Sequence, residues 1–316
     1  LVAGSILFIF TANFEYTKYK RIRKLLYLIG FLMLLAVLGI GKNVNGATRW
    51  IAIGQFSIQP SEFAKLILIL HLAGLIDLQK RKRENKLKML FSILAATMTY
   101  SVLIIMEKAF SSTAQITLIG LTMMFISGVK MSEFLVTLLG LGVLGFGAIT
   151  AMPYRLKRLL GHLKNSDEVY QLRQSLIAIG SGKLIGKFYG NGFQKYFYLP
   201  EIHTDYVFSG YAEEMGFVGS IILILLYMVL LGVILITIVK IKDMYAKYIL
   251  IGILSMFSLQ IIGNLAVVMG LVPSTGIPLP ILSYGGSTTI VTMAALGIVY
   301  NIIRAFYRQE LETERD

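Results

Sequence analysis

The chain is built from apolar blocks close to the length that crosses a lipid bilayer. Each block approaches the roughly 20 residues that a helix needs to span a hydrocarbon core, and short clusters of charge or of Gly, Pro and Ser separate the blocks. With 56% hydrophobic and 15% charged residues in 316, the chain has more apolar surface than one soluble core can bury. The run 221–236, IILILLYMVLLGVILI, lacks the short, strictly alternating pattern of a β-barrel strand. The sequence therefore predicts an all-α, polytopic membrane helix bundle.

The blocks predict about nine transmembrane helices within one transmembrane domain that covers residues 1–316. We place them at residues 1–12, 25–40, 60–78, 89–106, 113–128, 134–152, 209–239, 248–271 and 284–303. The first block is too short for a full crossing and no Met precedes it, so we expect a further helix before it.

The net charge of +13 is explained by the loops on one side of the predicted bundle. Of the 30 Lys and Arg residues, 18 lie in alternate connections and at the end of the chain, with dense clusters at 18–24 and 80–88. The positive-inside rule assigns that side to the cytoplasm, so the charge indicates membrane topology and no nucleic-acid partner. The absence of Cys excludes disulfides and thiolate metal sites.

The opposite side carries a long loop, residues 153–208. A connector of this length is uncommon unless it is functional, and its segment YQLRQSLIAIGSG has apolar patterning of its own. We predict a partly helical extracytoplasmic element here.

A first candidate site lies in residues 45–65 of an outer loop. Arg49 precedes the only Trp, and Glu62 and Lys65 share one face of the next helix, which begins at Pro60. One interpretation is a local ion pair that anchors the helix. The other is that Arg49 and Lys65 supply positive charge to an anionic ligand, because a basic group near hydrocarbon is costly unless it is paired or wetted.

A second candidate site closes the long loop, where His203, Thr204 and Asp205 precede a helix. Asp205 could cap that helix. A partly desolvated carboxylate at this position could equally act as a general base, with its pKa raised by burial. The residues alone favour neither role.

A third candidate site is the segment 270–288, which contains three of the six prolines. Its backbone cannot be satisfied by helix alone, and irregular backbone at membrane depth requires a protein or aqueous lining. We predict a pocket lining, with Ser283 and the pair Gly285–Gly286 close to a ligand; a tight interfacial turn is the alternative.

Four segments together resemble the SEDS family, which comprises FtsW, RodA and SpoVE, and their residues are most similar to the FtsW and SpoVE branch. They are NGATRWIAIGQFSIQPSEFAK, YQLRQSLIAIGSGKLIG, KYFYLPEIHTDYVF followed by AEEMG, and VPSTGIPLPILSYGGST. The resemblance implies a ten-helix enzyme of the bacterial cytoplasmic membrane whose active site faces outward. Such an enzyme polymerises lipid II into undecaprenyl-linked glycan strands with inversion, beside a class B penicillin-binding protein, and we expect a role in cell division.

The resemblance also implies site residues. Asp205, the Asp of the HTD motif, is the expected catalytic base. The charges in the outer loops make Arg49 and Lys65, and after them Arg155 or Lys183, the candidates for binding the departing pyrophosphate. The other expected substrate-binding residues are Glu62, His203, Thr204, Ser283, Gly285 and Gly286. No cofactor or protein metal site is predicted; a divalent cation, Mg or Mn, would be carried on the substrate phosphates.

Two segments depart from the family pattern. The usual Pro-Asp/Asn-Leu-Gly/Ser-Thr turn is replaced within Glu107–Thr113 by EKAFSST, which puts the role of that turn's acid in doubt. The usual GSGG reads GSGK here, which adds the charge of Lys183.

Two other functions fit parts of the pattern. A lipid II flippase would use the same polar loops but would need polar or ionisable residues through the membrane midplane, where the apolar runs offer few. A non-catalytic scaffold for a penicillin-binding protein is the third hypothesis.

Overall fold

The structure is a computed structural model, and it describes residues 2–44, 47–54, 56–83, 85–150, 167–194, 202–273 and 275–313. Within these ranges the chain forms ten helices and one small sheet. The helices are α1 (Val2–Asn13), α2 (Tyr16–Ile40), α3 (Pro60–Arg81), α4 (Lys86–Met106), α5 (Phe110–Ile126), α6 (Met131–Thr150), α7 (Asp167–Ser181), α8 (Val207–Lys240), α9 (Met244–Val268) and α10 (Gly286–Thr313). The predicted all-α class is confirmed.

Each predicted crossing coincides with one of these helices. In the described part of the chain, α2, α4, α8, α9 and α10 are long and apolar enough to cross a bilayer, and α1, α5 and α6 are shorter apolar helices. The remaining predicted crossing is α3, whose apolar run is interrupted by Glu62, Lys65 and Asp77. All three of these charged side chains are buried within the protein.

The helix ends differ from the predicted ends where basic residues border an apolar run. Helix α2 begins nine residues before the predicted start, so the basic cluster 18–24 lies on the helix and not in a loop. Helix α10 likewise continues ten residues past the predicted end. Lys and Arg are good helix formers whose long side chains keep their charge in water while the stem covers apolar surface, so a change in polarity does not end the helix.

A three-stranded antiparallel sheet, which the sequence did not predict, follows α2. Strands β1 (Lys42–Val44), β2 (Ala47–Ile53) and β3 (Phe56–Ile58) pair in the order β1-β2-β3. Ile51 lies opposite Ile58. The sheet places Arg49 on its central strand.

The helices divide into two compact units. The first consists of Leu1–Lys130, Leu231–Phe257 and Gly285–Asp316, and the second of Met131–Leu230 and Ser258–Tyr284, so α8 and α9 contribute to both. In the first unit α1 packs on α10, where Thr11 Oγ1 donates a hydrogen bond to the Ala294 carbonyl. In the second unit the buried Ser175 of α7 donates to the Val268 carbonyl at 2.8 Å. This bond ties the helical part of the long loop to α9.

The long loop is partly helical, as predicted, through α7. Residues 153–166 and 195–201 of that loop lie outside the described residues.

Candidate active site

The backbone of the HTD motif is fixed by three hydrogen bonds in the second unit. The motif forms a turn immediately before α8. The His203 carbonyl accepts from the Tyr284 amide at 2.8 Å, and the Thr204 carbonyl accepts from Ser283 Oγ at 2.6 Å. The Asp205 carbonyl accepts from Asn264 Nδ2 at 2.7 Å. Three consecutive carbonyl groups are therefore held in place, while the Asp205 side chain remains half-buried.

Asn264 connects the HTD turn to the proline-rich segment. It is fully buried in the last turns of α9, and its amide also donates to the Ile277 carbonyl at 2.7 Å. One side chain thus satisfies two carbonyl groups that have no helical partner, which such groups require when they are buried. We did not predict Asn264 as a site residue. The sequence feature that could have indicated its role is the single polar side chain in the apolar stretch IIGNLAVV.

The predicted interruption of helix in 270–288 is confirmed between Val268 and Gly286 over the described residues. Ser283 Oγ accepts from the Leu279 amide at 2.7 Å, which closes a turn, and Tyr227 Oη donates to the Pro280 carbonyl at 2.6 Å. Gly276 adopts a positive φ of 66°, and a Cβ there would lie 3.4 Å from Asp205 Oδ2. The segment therefore follows the HTD turn closely, with Gly276 beside the carboxylate.

Lys183 lies in the same unit, in the loop after α7. Its side chain is exposed and its backbone has a positive φ of 48°. Glycine adopts this conformation at lower cost than lysine, by roughly 1–2 kcal/mol, so GSGK carries strain that GSGG avoids.

In the first unit, Glu62 and Lys65 form a buried ion pair. Lys65 Nζ lies 2.8 Å from Glu62 Oε1 and 2.7 Å from Oε1 of Gln115 on α5. Both charged residues are almost completely inaccessible. The local ion pair considered from the sequence is thus present, and it lies inside the helix bundle. A role in pyrophosphate binding stays a prediction.

Arg49 lies near a second buried carboxylate that we did not predict. Its Nη2 donates to the Lys108 carbonyl at the end of α4. The neighbouring Glu107 is fully buried, and neither of its carboxylate oxygens has a hydrogen-bond partner among the described residues. Burial raises the pKa of Glu107 to about 8, and the nearby Arg49 opposes the rise.

The structure groups the predicted site residues unevenly. It brings together His203, Thr204, Asp205 and Ser283 in the second unit, and places Arg49, Glu62 and Lys65 in the first. Gly286 begins α10 and Gly285 directly precedes it, where the Gly285 carbonyl accepts from the Thr289 amide. Arg155 lies outside the described residues.

Comparison with known proteins matches nearly the whole chain to one protein family. The family model described as "cell cycle protein", FtsW/RodA/SpoVE, matches residues 1–308. The chain belongs to the FtsW/RodA/SpoVE family. Stage V sporulation protein E of Bacillus subtilis is 38% identical over 311 residues, which cover 95% of this chain and 84% of that protein. The probable peptidoglycan glycosyltransferase FtsW of Coxiella burnetii is 39% identical over 287 residues, which cover 88% and 77%.

Two solved structures share the fold of this FtsW/RodA/SpoVE member. One comes from a study of the structural coordination of polymerization and crosslinking by a peptidoglycan synthase complex. It matches with a TM-score of 0.81 and 27% identity, over 96% of this chain and 87% of that one. The other is the rod shape determining protein RodA of Thermus thermophilus, with a TM-score of 0.71 and 28% identity over 96% and 84%. The predicted family is confirmed.

Proposed function

We propose that this protein is a peptidoglycan glycosyltransferase that polymerises lipid II, with Asp205 as the general base. The observation that carries the proposal is the HTD turn, in which Asn264, Ser283 and Tyr284 bind the backbone and leave the carboxylate half-buried. The curated relatives named peptidoglycan glycosyltransferase FtsW support the reaction class.

The reaction requires a base at a defined position. The 4-hydroxyl of one sugar attacks the anomeric carbon of another, and the bond to undecaprenyl pyrophosphate breaks with inversion. As the new C–O bond forms, Asp205 takes the hydroxyl proton and the bond electrons leave with the pyrophosphate. A base held by a rigid turn satisfies the geometric demand of general-base catalysis, which contributes roughly 10²- to 10⁴-fold.

Positive charge is needed where the pyrophosphate departs. Among the proposed cations that the structure describes, Lys183 is the most accessible, because this residue is exposed. Lys65 would have to exchange Glu62 or Gln115 for a phosphate oxygen, and Arg49 already donates to the Lys108 carbonyl. We therefore rank Lys183 before Arg49 and Lys65 in this role.

No protein site for a divalent cation is assigned. The described residues contain no group of three or more His, Asp or Glu that could hold a metal ion.

We further propose that the site faces outward from the bacterial cytoplasmic membrane, with cell division as the role and a class B penicillin-binding protein as the partner. The basic clusters of the opposite side support this orientation. A structural relative from a synthase complex that couples polymerization to crosslinking supports the partner.

The positions of buried charge favour a transferase over a flippase. Among the described residues, Glu62, Lys65, Asp77 and Glu107 lie within about two turns of a helix end or directly after one, and Glu213 and Glu214 lie about two turns inside α8, just before its kink at Gly216. A transport route would instead require such groups through the middle of the membrane.

The test is polymerisation of purified lipid II by the reconstituted protein, with and without a class B penicillin-binding protein. We expect Asp205→Asn to abolish glycan chains while the protein elutes and melts like wild type, and Glu310→Gln, at an exposed acid of α10, to retain full activity. Full activity of Asp205→Asn would contradict the assignment of the base. Lipid movement without polymerisation would indicate a flippase, and a partner that polymerises equally well with Asp205→Asn would indicate a scaffold.

A further inference from the structure

The loop that follows α7 exposes five large apolar side chains. Each is between 65% and 84% exposed: Leu184, Ile185, Phe188, Tyr189 and Phe193. They lie within ten residues of one another, so the exposed apolar surface is concentrated in one place. Such a concentration indicates a surface that contacts something other than water.

The backbone of this loop is bonded to α8 where that helix becomes fully apolar. The Phe217 amide donates to the Lys183 carbonyl at 2.8 Å, and the Val218 amide to the Leu184 carbonyl at 3.1 Å. Phe217 and Val218 are themselves exposed, and they begin the apolar run of a candidate membrane span. The loop is therefore fixed at the start of the apolar run of α8.

Close packing keeps the loop at this level. The amides of Lys187 and Phe188 donate to the carbonyls of Glu213 and Glu214. Gly186 has a positive φ of 87°, and a Cβ there would lie 2.1 Å from the Glu214 carbonyl oxygen. Only glycine permits this approach, so the loop backbone lies directly on α8.

The polar groups on the inner side of the loop are satisfied by one carboxylate. Glu213 is fully buried and accepts from Lys187 Nζ at 2.7 Å and from the amides of Phe193 and Gln194 at 3.1 Å. Phe188 holds a positive φ of 68°, a conformation that disfavours a residue with a Cβ. The loop thus turns its polar backbone inward at an energetic cost and leaves its apolar side chains outside.

We propose that residues 184–193 form an interfacial anchor that inserts into the lipid leaflet at this end of α8. Aromatic rings close in sequence to the exposed Lys183 have the composition of the zone between headgroups and acyl chains. Lipid is favoured over a protein partner because the apolar surface is continuous with the exposed Phe217 and Val218 of a membrane span. This inference requires that the chain spans a membrane but not the proposed reaction.

The test uses nitroxide labels, which the Cys-free sequence allows at single sites. Tyr189→Cys and Phe193→Cys are labelled separately in nanodiscs of phosphatidylethanolamine and phosphatidylglycerol, and collision rates with oxygen and with a water-soluble nickel chelate are compared. Leu226→Cys, on the exposed face of α8, is the lipid reference, and Lys82→Cys, in an exposed turn, is the water reference. We expect the ratio of oxygen to nickel accessibility at both loop sites to exceed the Lys82 value severalfold and to stay below the Leu226 value.

Ratios at both loop sites equal to that at Lys82 would overturn the proposal. So would protection from nickel that appears only after a penicillin-binding protein is added, since that result would identify a protein interface. Labels at two sites guard against the failure of one variant to fold.

Discussion

The HTD turn and the Glu62–Lys65 pair both contain charged residues, but hydrogen bonds fix the backbone in the first and the charged side chains in the second. At the HTD turn, neutral donors bind the backbone carbonyls, and the Asp205 side chain stays half-buried. At the pair, the charged atoms themselves are bound and buried. The first arrangement fixes the backbone that carries a charged residue, whereas the second neutralises charge within the protein.

This difference predicts which measurement each region affects. A change at the HTD turn should act mainly on the rate of reaction, since the backbone bonds hold the residue that we propose as the base. A change at the ion pair should act mainly on stability, because a buried charge that loses its partner is costly.

The largest effect on stability is expected from Lys65→Met. The substitution leaves the buried Glu62 without its cation, and Glu62 Oε2 already has no hydrogen-bond partner among the described residues. Breaking a buried pair in this way costs about 3–5 kcal/mol. Thermal unfolding of the purified protein in nanodiscs measures the loss, with Lys82→Met, at an exposed lysine, as the control.

The double variant Glu62→Gln/Lys65→Met sharpens the test. Removing both charges should recover much of the loss, because no uncompensated ion remains. Unchanged thermal unfolding of Lys65→Met would refute the structural role and favour a lysine kept for substrate.

The next largest effect is expected from Asn264→Ala, this time on rate. Without the amide, the carbonyls of Asp205 and Ile277 lose a donor and the HTD turn can shift. A displacement of about 1 Å can cost on the order of 100-fold in rate, so kcat should fall by about that factor with a smaller change in KM. Lipid II polymerisation kinetics measure both, with Ile262→Ala, an exposed residue of the same helix, as the control.

Two further variants separate positioning from simple loss of fold. Asn264→Asp lacks the amide donor and should be as slow as Asn264→Ala. Asn264→Ala should also add little to the loss caused by Asp205→Glu, which keeps a carboxylate but displaces it, if the two residues act as a unit. Multiplicative losses in the double variant would contradict a positioning role.

Sequence patterns predicted the helices because apolar length alone decides where a chain can cross a bilayer. They also placed Asp205, His203 and Ser283 in candidate segments. They did not predict the partnership of Asn264, because a hydrogen bond between residues 59 apart depends on how helices pack and not on local spacing. The sheet around Arg49 was missed for a related reason: its strands are three to seven residues long, too short for their alternation to stand out.

The burial of Glu107 was also not predicted, because a carboxylate directly after an apolar helix usually indicates a helix end in contact with water. The structure buries it completely. Glu107 is therefore a third kind of acid, because it is fully buried, unlike Asp205, and its carboxylate accepts no hydrogen bond among the described residues, unlike that of Glu62.

The smallest effect is expected at Glu107 and depends on pH. Burial raises its pKa from 4.5 to about 8 in the folded protein. Between these values the folded protein keeps a proton that the unfolded chain releases, so stability falls as the pH rises through this window. Glu107→Gln mimics the protonated acid, so its melting temperature should equal that of wild type near pH 5 and exceed it by a few degrees at pH 8. Thermal unfolding between pH 5 and pH 9 measures the gap, with the exposed Glu310→Gln as the control. A difference in melting temperature between Glu107→Gln and wild type that does not change with pH would contradict this prediction. It would mean that Arg49 keeps the Glu107 carboxylate ionised in the folded protein, so that Glu107 is a paired charge like Glu62.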